Sequence, residues 1–221
     1  MIRRVTTALA FLACVSLAGS VSAATVVTVD PAKITNGYMN VFFRPADGGA
    51  FIFGSPWGFG DLVGSYSGSN LTLSPNTIGD PDPFWYIGGG GPGAAGNKIM
   101  EANAYAEENG PLAGVTLVFG GQVFSNTFTT AHTVLAFIKD FAPDFSSNVS
   151  TYIPLPTSGY FSITQPIVND VARHVQYGFQ VTGPNVWVTD TAPFGKAVIG
   201  PYYPTPNRAT TWGRIKTLYA K

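Results

Sequence analysis

Only three glutamates occur in the 221 residues, Glu101, Glu107 and Glu108, and they pose the first chemical question. Cutting a glycosidic bond takes two carboxyl groups facing each other across a cleft, one acid and one base or nucleophile. Glu101 and Glu107 share a period-two face, but six residues of extended chain hold them about 20 Å apart, too far to flank one bond. The tight Glu-x-Asp-x-x-Glu cluster of sandwich-fold glycosidases is also missing. His132 and His174 are the only histidines, too few for a histidine-based zinc site without cysteine. Gly64-Ser65-Tyr66-Ser67-Gly68 has the outline of a nucleophile elbow, with tyrosine where the serine must stand. Gly91-Pro92-Gly93-Ala94-Ala95-Gly96 has dinucleotide-fingerprint spacing, yet a proline sits in the turn and no alternation of strand and helix surrounds it. It reads as a surface loop. The expectation is a protein that is not an enzyme and needs no cofactor. A structural calcium ion would draw on Asp80 with Asp82, Asp140 with Asp144, or Asp30 with Asp190, positions where aspartate more commonly closes a turn.

What remains is a set of aromatic, amide and carboxylate side chains that alternation throws to one side. Gln176, Gln180, Asn185 and Trp187 project from one face of an expected hairpin, with His174 at its edge, and Glu101, Asn103 and Tyr105 project likewise from another strand. Flat rings cover the C–H faces of sugars while amides and carboxylates satisfy the hydroxyls, so the expected ligand is polysaccharide.

The elements that must position these residues are strands. His174 to Thr182 alternates Val175, Tyr177, Phe179 and Val181 with His174, Gln176, Gly178, Gln180 and Thr182, so the first set should be core. Gly183-Pro184 is expected to turn into a second strand, Asn185 to Thr189, with Val186 and Val188 inward and Trp187 outward. Lys98 to Glu108 has helical propensity, but Met100, Ala102, Ala104 and Ala106 alternate with polar partners, which favours strand. Val115 to Phe124 and His132 to Asp140 are strongly β-prone, and within the second Val134 to Ile138 is apolar on both faces as a central strand is. Shorter strands are expected at Val26–Val29, Met39–Phe43, Phe51–Phe53, Leu71–Leu73 and Tyr160–Thr164. Together they predict one all-β domain over residues 24–221, an antiparallel β-sandwich with jelly-roll connectivity.

Composition agrees. Charged residues make up 11% and hydrophobic ones 45%, with 26 glycines and 17 prolines, a turn-rich β profile. Residues 1–23 have the form of a secretory signal, with Arg3 and Arg4, an apolar stretch from Val5 to Ala18, and the small-residue site Val21-Ser22-Ala23. Its removal takes the only cysteine, Cys14, and leaves 10 basic against 12 acidic residues. That balance argues against nucleic acid, and no segment offers the apolar length of a membrane helix. A secreted or cell-surface location is expected. The sparse charge also fits a second role, a self-assembling subunit of a sheath, matrix or filament, with Thr25 to Val29 pairing on a neighbour's sheet edge.

Phe84-Trp85-Tyr86, Gly96 to Asn103, Ala136 to Asp144 and His174 to Phe179 resemble a group of uncharacterised exported bacterial proteins of the PEP-CTERM-associated type. The chain departs from them after Trp212, where no Pro-Glu-Pro, membrane helix or basic tail follows, so anchoring by that route is not expected. The strand order from Lys98 through Leu112-Ala113-Gly114 to Thr189-Asp190 is similar, more distantly, to jelly-roll carbohydrate-binding modules of families 4 and 9. That resemblance implies glycan binding with roles for Tyr105, Gln176 and Trp187.

Overall fold

A computed structural model describes residues 24–62 and 64–202; the expected signal at 1–23 and the end segment around Trp212 lie outside the described residues. The strands are β1 (Thr25–Thr28), β2 (Asn36–Phe43), β3 (Phe51–Pro56), β4 (Gly64–Ser67), β5 (Asn70–Leu73), β6 (Lys98–Asn109), β7 (Thr116–Asn126), β8 (Thr133–Phe141), β9 (Asn148–Pro154), β10 (Gly159–Pro166), β11 (His174–Pro184) and β12 (Ala197–Pro201). Among the described residues, helical backbone is confined to three short 3-10 turns. No helix there is long and apolar enough to cross a membrane. Lys98–Asn109 is strand, as its alternation required: Met100, Ala102, Ala104 and Ala106 are buried on one face.

The strands form two six-stranded sheets. The second sheet runs β3-β2-β6-β11-β8-β9, antiparallel throughout. In the first, β7 pairs antiparallel with β10 along Thr116–Val123. β1 and β12 pair with β7 residues that β10 also engages, so both take its opposite edge, β1 parallel at Leu117–Gly120 and β12 antiparallel at Gly121–Asn126. The Thr28 hydroxyl joins the three, donating to the Gly120 carbonyl (2.8 Å) and accepting from the Tyr202 N–H (2.6 Å). The N-terminal run expected to seek a neighbour's edge therefore pairs within its own chain. β12, β5 and β4 complete that sheet.

From β6 onward the chain changes sheet at every connection except the β8–β9 hairpin, the shuttling that a jelly roll demands. Burial drives the closure. Phe119 and Phe161 of the first sheet meet Phe179 and Tyr177 of the second in an aromatic cluster with centroids 5.3–5.7 Å apart. Each such ring contributes about 1.5–3 kcal/mol by leaving water, with edge-to-face geometry adding to that. Val175, Tyr177, Phe179 and Val181 all enter this core. At one end it holds a buried ion pair: Asp140, fully buried, accepts from Arg173 Nε (2.6 Å) and from the Val168 N–H (2.9 Å), while Arg173 Nη2 donates to the Asp140 carbonyl (2.7 Å).

Beyond the reach of the first sheet, the inner face of β2 and the start of β6 is covered by loops instead. Tyr86 sits at the centre of this second cluster, with Met39, Val41, Met100, Leu62 and Ile78 about it. Its hydroxyl lies between the carbonyl oxygens of Ile78 and Val186. Here the expected hairpin at Gly183-Pro184 is corrected. β11 continues through Pro184, whose carbonyl faces His132 Nε2, and the chain then leaves the sheet. A proline ending a strand removes no ladder bond that is needed. Val188 is exposed rather than inward, and half-buried Trp187 packs edge-on against Tyr86 with centroids 5.4 Å apart.

Candidate functional site

The outer face of the second sheet, the side away from the core, is where the sequence placed its chemistry. Register sets the rows. Tyr38, Asn103, Gln180 and Leu135 stand side by side across β2, β6, β11 and β8. The next row is Asn36, Tyr105, Gly178, Phe137 and Tyr152, and the one after it Glu107, Gln176, Lys139 and Ser150. Gly178 thus leaves a gap between Tyr105 and Phe137. Only glycine fits there, since a Cβ would run into the Ala104 carbonyl oxygen and Tyr105 Cα.

Lys139 crosses that gap. From the row on one side of Gly178 its ammonium donates to Asn103 Oδ1 on the other (2.8 Å), passing over the Phe137 ring at 4.2 Å and within 5.7 Å of Tyr152. The residue is 8% exposed, and burial lowers its pKa to about 8 against a smaller raising influence from Glu101. Among the described residues, no carboxylate pairs with Lys139 within salt-bridge distance. The glutamates, in contrast, are engaged. Glu107 Oε1 lies 3.0 Å from His174 Nδ1 and its Oε2 accepts from Gln176 (2.8 Å), while Glu101 accepts from Asn40 (2.9 Å) and Asn103.

These side chains wall a groove of about 490 Å³, lined by Tyr38, Asn40, Asn103, Tyr105, Glu107, Lys139, Phe141, Phe145 and Gln176. Its rim at Phe145 is held unusually. Phe145 has φ 58°, a left-handed conformation that costs a side-chain-bearing residue on the order of 1 kcal/mol. The ring is repaid by stacking on His174 at 4.2 Å and by contact with Phe141. Two larger hollows, of about 770 and 630 Å³, lie among loops, one beside Trp57 and Trp85 and one beside Asp190 and Phe194. Neither is lined by a buried side-chain charge.

Of the seven residues expected to bind ligand, Glu101, Asn103, Tyr105, Gln176 and Gln180 share this face, and Asn103, Tyr105 and Gln176 line the groove. Asn185 and Trp187 do not join them. Asn185 is 1% exposed, accepting from the Lys98 N–H and donating to the Trp85 carbonyl, so it ties the loop cover to the sheet. Sequence reasoning missed Tyr38, Asn40, Lys139, Phe141 and Phe145, and weighed Glu107 only as a catalytic carboxylate. The alternation of Asn36, Tyr38 and Asn40 with Gly37, Met39 and Val41 carried a readable signal for two of them. Of the aspartate pairs considered for calcium, Asp30, Asp80, Asp82 and Asp144 each accept a backbone N–H two residues on, as turns require. Among the described residues, no three His, Cys, Asp or Glu converge into a metal-ligand group.

No protein-family model and no curated protein matches the sequence. Among solved structures the chain is similar to a mutant Xylanase10C from Cellvibrio japonicus in complex with xylopentaose, with 17% identity over 77% of this chain and a TM-score of 0.34. It is also similar to the enzymatically active domain of tailspike protein 4 from bacteriophage CBA120, with 13% identity over 63% of this chain and a TM-score of 0.30. The chain spans 28% and 19% of the lengths of those two proteins. The expectation that the protein is not an enzyme is corrected here, because one neighbour is named as a xylanase and the other as an enzymatically active domain. At these scores neither assigns a reaction to this chain.

Proposed function

We propose that the protein binds extracellular or cell-wall polysaccharide along the outer face of its second sheet. The observation that carries this reading is the groove on that face, where the tyrosines Tyr38 and Tyr105 stand beside the amides Asn40, Asn103 and Gln176. Rings supply flat apolar area for sugar C–H faces, and fixed amides supply donors and acceptors for hydroxyls. The groove volume falls within the usual range of ligand sites, roughly 300–1,000 Å³. Preorganisation supports the same reading, since Gln176 and Asn103 are held by Glu107 and Lys139 before any ligand arrives.

Affinity electrophoresis in gels containing soluble polysaccharides tests it. Tyr38→Ala and Tyr105→Ala should each lose most of the retardation shown by the wild type while keeping its far-ultraviolet circular dichroism. Retardation unchanged in both variants would move the ligand off this face.

A further inference from the structure

Resting on that reading, we propose that the ligand is an acidic polysaccharide, and that the Lys139 ammonium receives the carboxylate of a uronic acid residue at the floor of the groove. The geometry is that of a charge waiting for a partner. An ammonium has three donors, and Lys139 spends one on Asn103 Oδ1, a neutral acceptor. Phe137 and Tyr152 offer ring faces on one side, which stabilise a cation without neutralising it. A charge this deeply buried is normally paired, because leaving it unpaired forfeits hydration with nothing in exchange.

The remaining charged groups facing the groove do not supply that pair. Glu107 on β6 has one oxygen on His174 and the other on Gln176, and Glu101, on the same strand, is held by Asn40 and Asn103. Tyr38 on β2, Tyr105 on β6 and Tyr152 on β9 are the other titratable groups on this face; burial raises the last two, which stay neutral phenols. The unsatisfied charge in the groove is therefore positive and lies at its floor. A neutral sugar would leave it unpaired, whereas a uronate brings the missing carboxylate together with ring faces for Tyr105 and Tyr38. Lysine recognises such a group as a point charge, tolerant of sugar epimer, so the inference concerns the class of polysaccharide and not one sugar. The chain as a whole has formal net charge zero, so indiscriminate attraction to polyanions is not built in.

The experiment compares the full chain on polygalacturonate, alginate and hyaluronan, each beside its carboxyl-reduced neutral form, with xylan as an unrelated neutral glycan. At least one acidic polymer should bind ten-fold or more tightly than its reduced form. Lys139→Gln should abolish that preference, and Lys139→Arg should retain part of it. Thermal melting of both variants confirms that they fold; should Lys139→Gln fail to fold, the acid-over-reduced ratio of the wild type decides alone. Equal or tighter binding of the reduced forms or of xylan overturns the acidic inference and leaves glycan binding standing. Absence of binding to every polymer overturns both. A preference for acid that survives Lys139→Gln overturns the assignment of Lys139.

Discussion

Replacing Lys139 by methionine keeps an unbranched apolar stem of similar length and removes the charge that burial disfavours. The native group titrates at about 8 and the unfolded one at the ordinary 10.5. Below pH 8 both states are protonated, and the native fold carries the full penalty of the buried charge. Between pH 8 and 10 the native lysine releases its proton while the unfolded one keeps it, so the unfolded state binds more protons and stability rises with pH. Integrated over that window, the gain is about 2.5 kcal/mol. Above pH 10 the sign turns, because burial raises Tyr66, Tyr105, Tyr152 and Tyr177, and their unfolded counterparts ionise first. Lys139→Met should therefore lose most of the rise between pH 8 and 10, keeping the part that Lys98, also lowered by burial, contributes. At pH 7 it should be about 1 kcal/mol more stable than the wild type, the relief of charge burial being offset by the acceptor left idle on Asn103. Urea denaturation at pH 7, 8, 9 and 10 measures both effects. A flat wild-type profile, or the same slope in the variant, would refute the argument that the fold buries this ammonium unpaired.

Breaking the ion pair inside the core end with Arg173→Met should cost about 3–5 kcal/mol, since it strands the Asp140 carboxylate, and denaturant midpoints will show it. Trp187→Ala should lower stability by about 2–4 kcal/mol in the same assay, because the ring covers Tyr86, and should leave polysaccharide retardation intact in the folded fraction. Burial lowers the pKa of His132, so as pH falls below about 6.5 the unfolded chain protonates first and stability declines; melts at pH 7 and 5 should show a smaller acid loss in His132→Gln than in the wild type. Gly178→Ala should both destabilise the fold and weaken binding, as β6 and β11 must part to admit a Cβ.

Alternation carried most of what could be read in advance. In β6 and β11 it sorted core from outer face residue by residue, and that put Glu101, Asn103 and Tyr105 on one side of β6 and Gln176 and Gln180 on one side of β11 without knowledge of the fold. It could not say which strands are neighbours. Lys139 reaches Asn103 only because β11 separates β8 from β6, a pairing between segments far apart in sequence, so its importance was invisible within an apolar run. β9 was missed because an edge strand needs little burial: of its inward residues Val149, Thr151 and Ile153, only Ile153 packs on the core, and the polar Asn148, Ser150 and Thr151 blur the alternation. Gly183-Pro184 misled for the opposite reason. The dipeptide has turn chemistry, yet Gly183 is small to make room for the His132 ring, and strand geometry runs on through both residues. Trp187 followed that error, since its outward direction depended on a second strand that does not form.

The shared edge of β7 has a consequence for how the domain can be attached to anything else. Residues 24 and 202 leave the first sheet on the same side of β7, with only the four residues of β1 between them, about 13 Å of extended chain. The groove opens on the opposite layer. A probe attached at residue 24 or 202 therefore sits at the layer away from the groove, and one attached at both is held at two nearby points. Attachment at residue 24 or 202 leaves the face with the groove uncovered, which makes protein tethered there a suitable format for testing polymer capture.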